Sequence, residues 1–164
     1  MLWHRRQTLI ALSALAAGSA CGFAPAYGPQ GSASVLQDNL RVTAPNRRDG
    51  FLISQRLEDR FGRNDAGRYV LNVSPEIRRQ GLATSVEGTT NRFRLTGFAN
   101  YALRDTQTDT VVRRGRETNF TGYSATGSTA ATLAAERDAN ARLMIILADQ
   151  VVDRLILTSN GLPA

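Results

Sequence analysis

Arg68-Tyr69-Val70-Leu71-Asn72-Val73-Ser74-Pro75-Glu76-Ile77-Arg78 decides the fold class. Tyr69, Leu71, Val73, Pro75 and Ile77 share one parity; Arg68, Asn72, Ser74, Glu76 and Arg78 hold the other, with Val70 the one apolar member among them. Successive side chains of an extended chain point to opposite faces, so this spacing predicts a long strand with one apolar face. Downstream, Phe93, Leu95, Gly97, Ala99, Tyr101 and Leu103 form a second apolar face, opposed by Arg92, Arg94, Thr96, Asn100 and Arg104. The polar stretch from Gln80 to Asn91 reads as a loop between the two strands. Asp105 to Thr110 is a polar turn of hairpin length, and Val111 to Tyr123 completes the hairpin. That last strand is Arg-rich and alternates weakly, as suits a sheet edge where charge blunts edge-to-edge pairing.

Upstream, Leu40-Arg41-Val42-Thr43 alternates and stops before Pro45, a short strand. Asp49 stands where a helix cap is expected. Ile53, Leu57 and Phe61 then recur every four residues, widened by Phe51 and Leu52, and Gly62 supplies the stop. A final helix is predicted from a Ser128 or Thr129 cap to about Ser159, with Asn160-Gly161 and Pro163 ending it. Its second half carries Met144, Ile145, Leu147, Ala148, Val151, Val152, Leu155 and Ile156, a broad apolar stripe suited to packing on a sheet. The order β-α-β-β-β-α is an α+β fold: a four-stranded sheet with two helices packed on one face and the other face polar.

Residues 1–20 have the layout of a signal: Arg5 and Arg6, an apolar run from Leu9 to Ala17, then small residues. The run falls short of the roughly 18–20 residues that span a bilayer. Cys21 is the sole cysteine of the 164 residues and follows the small residues directly. Lipid attachment at Cys21 gives that position a mechanism, since two or more acyl chains convert marginal membrane binding into stable anchoring. The competing reading is ordinary cleavage after Ala20 with Cys21 a bystander. Gly18 departs from the Leu that the lipoprotein cleavage pattern prefers. Gly22 at the second mature position leaves the outer membrane as the expected destination. Residues 21–38, rich in Gly, Pro, Ala and Ser, read as an acylated tether, and residues 39–161 as a single domain.

Composition bounds the chemistry. All twenty basic residues are Arg, against fourteen acids, for a net charge of +6. Loss of Arg5 and Arg6 with a signal leaves eighteen against fourteen, or +4. The only histidine, His4, would leave with the signal, and Cys21 would be acylated. Ser-His-Asp and Cys-His catalysis and most zinc sites are thereby removed. No Gly-rich phosphate loop is present, and no cofactor is expected. Glu58-Asp59 and Glu136/Asp138 are scattered carboxylates; a periplasmic hydrolase using two of them is the weakest reading, and a binding or scaffolding module is favoured. An exported basic protein points away from nucleic acid and toward anionic lipid.

The positive signal is the arginines on or beside the three consecutive strands. Arg78, Arg92, Arg94 and Arg114 are the candidate contacts for an anion such as a phosphorylated sugar, because the planar guanidinium fork holds a phosphate through two charge-assisted bonds. Arg78, Arg92 and Arg94 lie opposite the apolar residues of their own strands; Arg114 lies on the strand that alternates poorly. A solvated face in an arginine-using chain is an equally weighted alternative.

Cys21-Gly22-Phe23-Ala24-Pro25-Ala26-Tyr27-Gly28, with Ala135-Glu136-Arg137-Asp138-Ala139, Leu147-Ala148-Asp149-Gln150 and Arg154-Leu155 of the final helix, resembles the LptE family of lipopolysaccharide-assembly lipoproteins, in particular its alphaproteobacterial branch. The resemblance covers essentially the whole mature chain and implies two helices on a four-stranded sheet. It further implies a non-enzymatic lipoprotein on the periplasmic side of the outer membrane. Such a protein plugs the LptD barrel, assists its assembly and binds lipopolysaccharide. The polar residues of 84–91 and 117–129 suit the polar lumen of a barrel. An outer-membrane accessory lipoprotein with no barrel partner is the alternative.

Overall fold

A computed structural model describes residues 34–84, 90–159 and 161–163. Cys21, the signal and most of the tether lie outside them. The elements are β1 (Leu40–Thr43), α1 (Arg48–Phe61), β2 (Tyr69–Thr84), β3 (Thr90–Asp105), β4 (Thr110–Ser124) and α2 (Thr129–Thr158). They form one sheet in the order β1-β2-β3-β4, with β1 parallel to β2 and the other neighbours antiparallel. The expected α+β architecture and element order are what the chain adopts.

The parity of β2 and β3 sorts the faces. Tyr69, Leu71, Val73, Leu95, Ala99, Tyr101 and Leu103 are buried under the helices together with Ile53, Leu57, Phe61, Leu143, Met144, Leu147 and Leu155. Both helices therefore cover the same face. Ile145 is the exception in the α2 stripe, 43% exposed and turned away from the sheet. Gly97 lies where α2 comes down closest on β3. A Cβ there would sit 2.8 Å from Leu147 Cδ1 and 2.9 Å from Leu143 Cδ2.

Two boundaries differ from the sequence reading. The stretch Gln80–Asn91 is not all loop: β2 runs on to Thr84 and β3 begins at Thr90. Hairpin pairing from Arg79↔Leu95 to Thr84↔Thr90, with a register shift beside Ala83, overrides the polar composition. Asp49 is not the cap of α1. Arg47 holds that place without a side-chain cap bond, and Asp49 sits in the first turn, where its carboxylate suits the helix dipole. Its Oδ1 accepts from Asn140 Nδ2 at 2.9 Å, tying α1 to α2, and a bidentate Arg56–Asp149 pair at 2.9 and 3.1 Å ties them again two turns on.

The helix stops behave as expected. Gly62 takes φ +82°, a left-handed value costly for residues with a Cβ, and its N–H returns to the Glu58 carbonyl. Ser128 caps α2, its Oγ accepting from Ala131 N. Pro75 is tolerated inside β2 because β1 ends at the Thr43↔Asn72 pair; among the described residues no strand lies beyond it on that side. The Pro75 carbonyl on that edge accepts from Arg47.

A buried ion pair closes the sheet at the start of β2. Arg68 donates to both Asp105 oxygens at 2.8–3.2 Å, Gln107 N adds a bond at 2.9 Å, and Asp105 is 1% exposed. Arg68 holds the Asp105 carboxyl below its ordinary range. Beside it the Tyr69 hydroxyl donates to the Pro163 carbonyl, fastening the C-terminal segment to the core. Among the described residues no helix is long and apolar enough to cross a membrane.

Candidate functional site

The face of the sheet away from the helices is set by the other parity. Strand register arranges it in rows: Gln80–Arg94–Gly122, Arg78–Thr96–Phe120, Glu76–Phe98–Thr118, Ser74–Asn100–Arg116 and Asn72–Ala102–Arg114. Arg92 lies beyond the first row, opposite Ser124; Arg104, and Arg41 on β1, lie beyond the last. Among the described residues, Glu76 and Asp109 alone answer these arginines within this face or at its rim: Arg78 Nη2 lies 2.9 Å from Glu76 and Arg104 Nη1 lies 2.6 Å from Asp109. The open face is basic because its acids are few; the other carboxylates of the sheet serve the covered side. Glu117 of β4 takes Arg154 at 3.2 Å, and on the same covered side Arg79 of β2 meets Glu136 of α2 at 3.6 Å.

All four candidate arginines stand on this open face, but they do not form one cluster. Arg78, Arg92 and Arg94 gather toward the β2–β3 hairpin end. Arg114 pairs with Ala102, eight residues along β3 from Arg94, which at the strand rise of about 3.3 Å is about 27 Å away. Its neighbour across the pleat is Arg116.

The sequence reading passed over the aromatics between them. Phe98 carries two guanidinium groups, Arg78 at 5.0 Å and Arg116 at 4.1 Å from its ring centre. Phe120, 60% exposed, carries Arg94 at 5.0 Å. Quadrupole attraction holds these cations over ring faces and keeps their forks spread across the surface. A signal for this was available: Phe98 occupies a position of the polar parity in β3, between Thr96 and Asn100. On the covered side the same device recurs where Arg79 lies over Phe93, itself stacked on Tyr123 at 5.2 Å.

Two adjoining depressions mark the open face. One, of about 490 Å³, runs from Thr43 and Pro45 over Asn72, Ser74 and Asn100 to Ala102. The other, of about 590 Å³, continues from Ala102 to Val111, Arg114 and Arg116. The acids flagged as possible pairs lie elsewhere: Asp138 is bound by Arg142 at 2.7 Å on α2, and Glu136 by Arg79. Among the described residues no group of three metal-ligating side chains converges.

A lipoprotein of Caulobacter crescentus CB15 superposes with a TM-score of 0.65 at 23% identity, covering 81% of this chain and 98% of its own. The rare lipoprotein B of Shewanella oneidensis gives 0.60 at 15%, covering 75% and 97%. A minor lipoprotein of Acinetobacter baumannii gives 0.59 at 18%, covering 72% and 90%. At these identities the likeness establishes a shared fold. Comparison with curated protein sequences gives no match. The model of the LptE family, described as lipopolysaccharide-assembly, matches residues 37–155 and so spans every element from β1 to most of α2. The chain therefore belongs to the LptE lipopolysaccharide-assembly family.

Proposed function

We propose that this protein is a non-enzymatic outer-membrane lipoprotein, anchored through Cys21 on the periplasmic side. In this reading it plugs an LptD-type lipopolysaccharide-translocating barrel, assists its assembly and helps deliver lipopolysaccharide to the cell surface. The observation that carries this is the family match over residues 37–155. The shape of the domain supports it. One face is sealed by helices, and the other is polar and basic, which suits a water-filled, polar barrel interior through which an anionic lipid passes. Arg78, Arg92 and Arg94 are the proposed lipopolysaccharide contacts. They sit together at the hairpin end, and Arg92 and Arg94 have no acidic partner among the described ion pairs. Arg114 belongs to a different part of the face.

The test is affinity capture of the full acylated chain from detergent-solubilised outer membrane, with partners identified by mass. A stoichiometric large β-barrel is the expected result. Capture of the chain with no barrel would refute the plug reading and leave a free-standing accessory lipoprotein.

A further inference from the structure

We infer that the trough running across the middle of the open face is a binding site for an anionic oligosaccharide, separate from the arginines at the hairpin end. The trough exists because of Ala102. Its methyl group leaves a gap in the row Asn72–Ala102–Arg114, and the two depressions join over it. From Thr43 on β1 to Arg114 on β4 it crosses three inter-strand spacings, about 14 Å, the length of a short oligosaccharide.

The lining has the chemistry of a sugar site. Asn72, Ser74 and Asn100 are exposed and make no side-chain hydrogen bond to protein among the described residues. An Asn amide presents two donors beside an acceptor, which matches neighbouring sugar hydroxyls. Beside the trough the Phe98 ring lies under Arg116 at 4.1 Å, which holds that guanidinium at the edge of the lining. At the β4 end stand Arg114 and Arg116, neither in an ion pair among the described residues, whereas the rim arginines Arg78 and Arg104 are neutralised by Glu76 and Asp109. Two unneutralised guanidinium groups at one end select a saccharide bearing phosphate or carboxylate. Identifying that saccharide as the carbohydrate portion of lipopolysaccharide rests on the function proposed above; the class of ligand rests on the trough alone.

The experiment uses the full chain in detergent, titrated by NMR with phosphorylated core oligosaccharide freed of its lipid, the same oligosaccharide after phosphatase treatment, and inorganic phosphate. Saturable shifts of the Asn72 and Asn100 side-chain amides are expected with the first. Affinity should fall at least tenfold with the second, and inorganic phosphate should not reproduce the amide shifts. Arg114→Gln with Arg116→Gln should weaken binding at least tenfold, and Ala102→Phe, which fills the floor from the solvent side, should abolish it. Arg137→Ser with Arg142→Ser, exposed on α2 away from this face, should change it less than twofold. Absence of amide shifts in the wild type at millimolar oligosaccharide would overturn the inference. Equal losses in the two arginine pairs would also overturn it, since they would mean one diffuse basic surface. Barrel capture, run in parallel, separates the two readings. A captured barrel with no oligosaccharide binding removes the trough and leaves the plug; oligosaccharide binding without a barrel does the reverse. Loss of the barrel in Arg114→Gln/Arg116→Gln, with no saccharide bound by the wild type, would assign this face to the barrel wall and overturn the inference.

Discussion

Replacing Gly97 by Ala should destabilise the fold, against the ordinary benefit of removing a glycine from a strand. The added Cβ would lie 2.8 Å from Leu147 Cδ1 and 2.9 Å from Leu143 Cδ2 and Cγ. Carbon contacts are optimal at about 3.5–4.0 Å, so these side chains must retreat by about 0.7–1.2 Å. Both leucines are fully buried, and close-packed interiors give little room. Overpacking of this kind costs about 1–3 kcal/mol. Relief of glycine's backbone entropy in a strand returns about 0.5–1 kcal/mol. The net is a loss centred on about 1 kcal/mol and at most about 2.5 kcal/mol, and 1 kcal/mol in a domain of this size lowers Tm by about 2–8 °C. Thermal and urea unfolding followed by circular dichroism would measure it. Leu143→Ala alone should cost about 2–5 kcal/mol through its cavity. In the double variant the new methyl group enters that cavity, so the combined loss should fall short of the sum by about 1 kcal/mol. A Gly97→Ala variant as stable as wild type, or strict additivity with Leu143→Ala, would refute the claim that α2 packs on β3 at this point.

Arg92→Ser with Arg94→Ser should leave folding nearly intact, since the contact it removes among the described residues is an exposed stack on Phe120 worth about 0.5–1 kcal/mol. The same variant should weaken lipopolysaccharide binding tenfold or more, about 1.4 kcal/mol, with a smaller dependence on added salt; unchanged affinity at low salt would return these residues to the solvated surface. Cys21→Ala should release the protein to the soluble periplasm or leave an uncleaved precursor, and an unacylated wild-type mass would contradict lipid attachment. Asp105 has a carboxyl pKa lowered on folding by the Arg68 hydrogen bonds. Its contribution is therefore complete above the unfolded value near about 3.9 and disappears as pH falls through the lower folded value. The stability gap between wild type and Asp105→Asn should be wide at neutral pH and narrow steadily in acid; a gap independent of pH would show the ion pair to be irrelevant.

The period-two pattern of β2 and β3 determined most of the architecture before any coordinates. Parity is a local property: once Tyr69, Leu71 and Val73 share a face, burying that face forces the two amphipathic helices onto it. The same parity put Arg78, Arg92 and Arg94 on the open side, and the glycine at position 62 announced the end of α1 by its conformational freedom. What parity cannot supply is register. Sliding β4 by two residues against β3 preserves every face and moves every neighbour. Only the paired sheet decided that Arg114 meets Ala102 about 27 Å from Arg94, that Arg116 and Arg78 both close on Phe98, and that Ala102 falls between Asn72 and Arg114 to leave a trough. The polar stretch 80–91 misled for a related reason. Its backbone joins the ladder because the partner strand is present in space, and composition records only what side chains prefer when the partner is unknown. Faces follow from one chain's alternation; sites follow from which residues of distant strands are brought opposite one another, which is set by the energy of the whole sheet and its core.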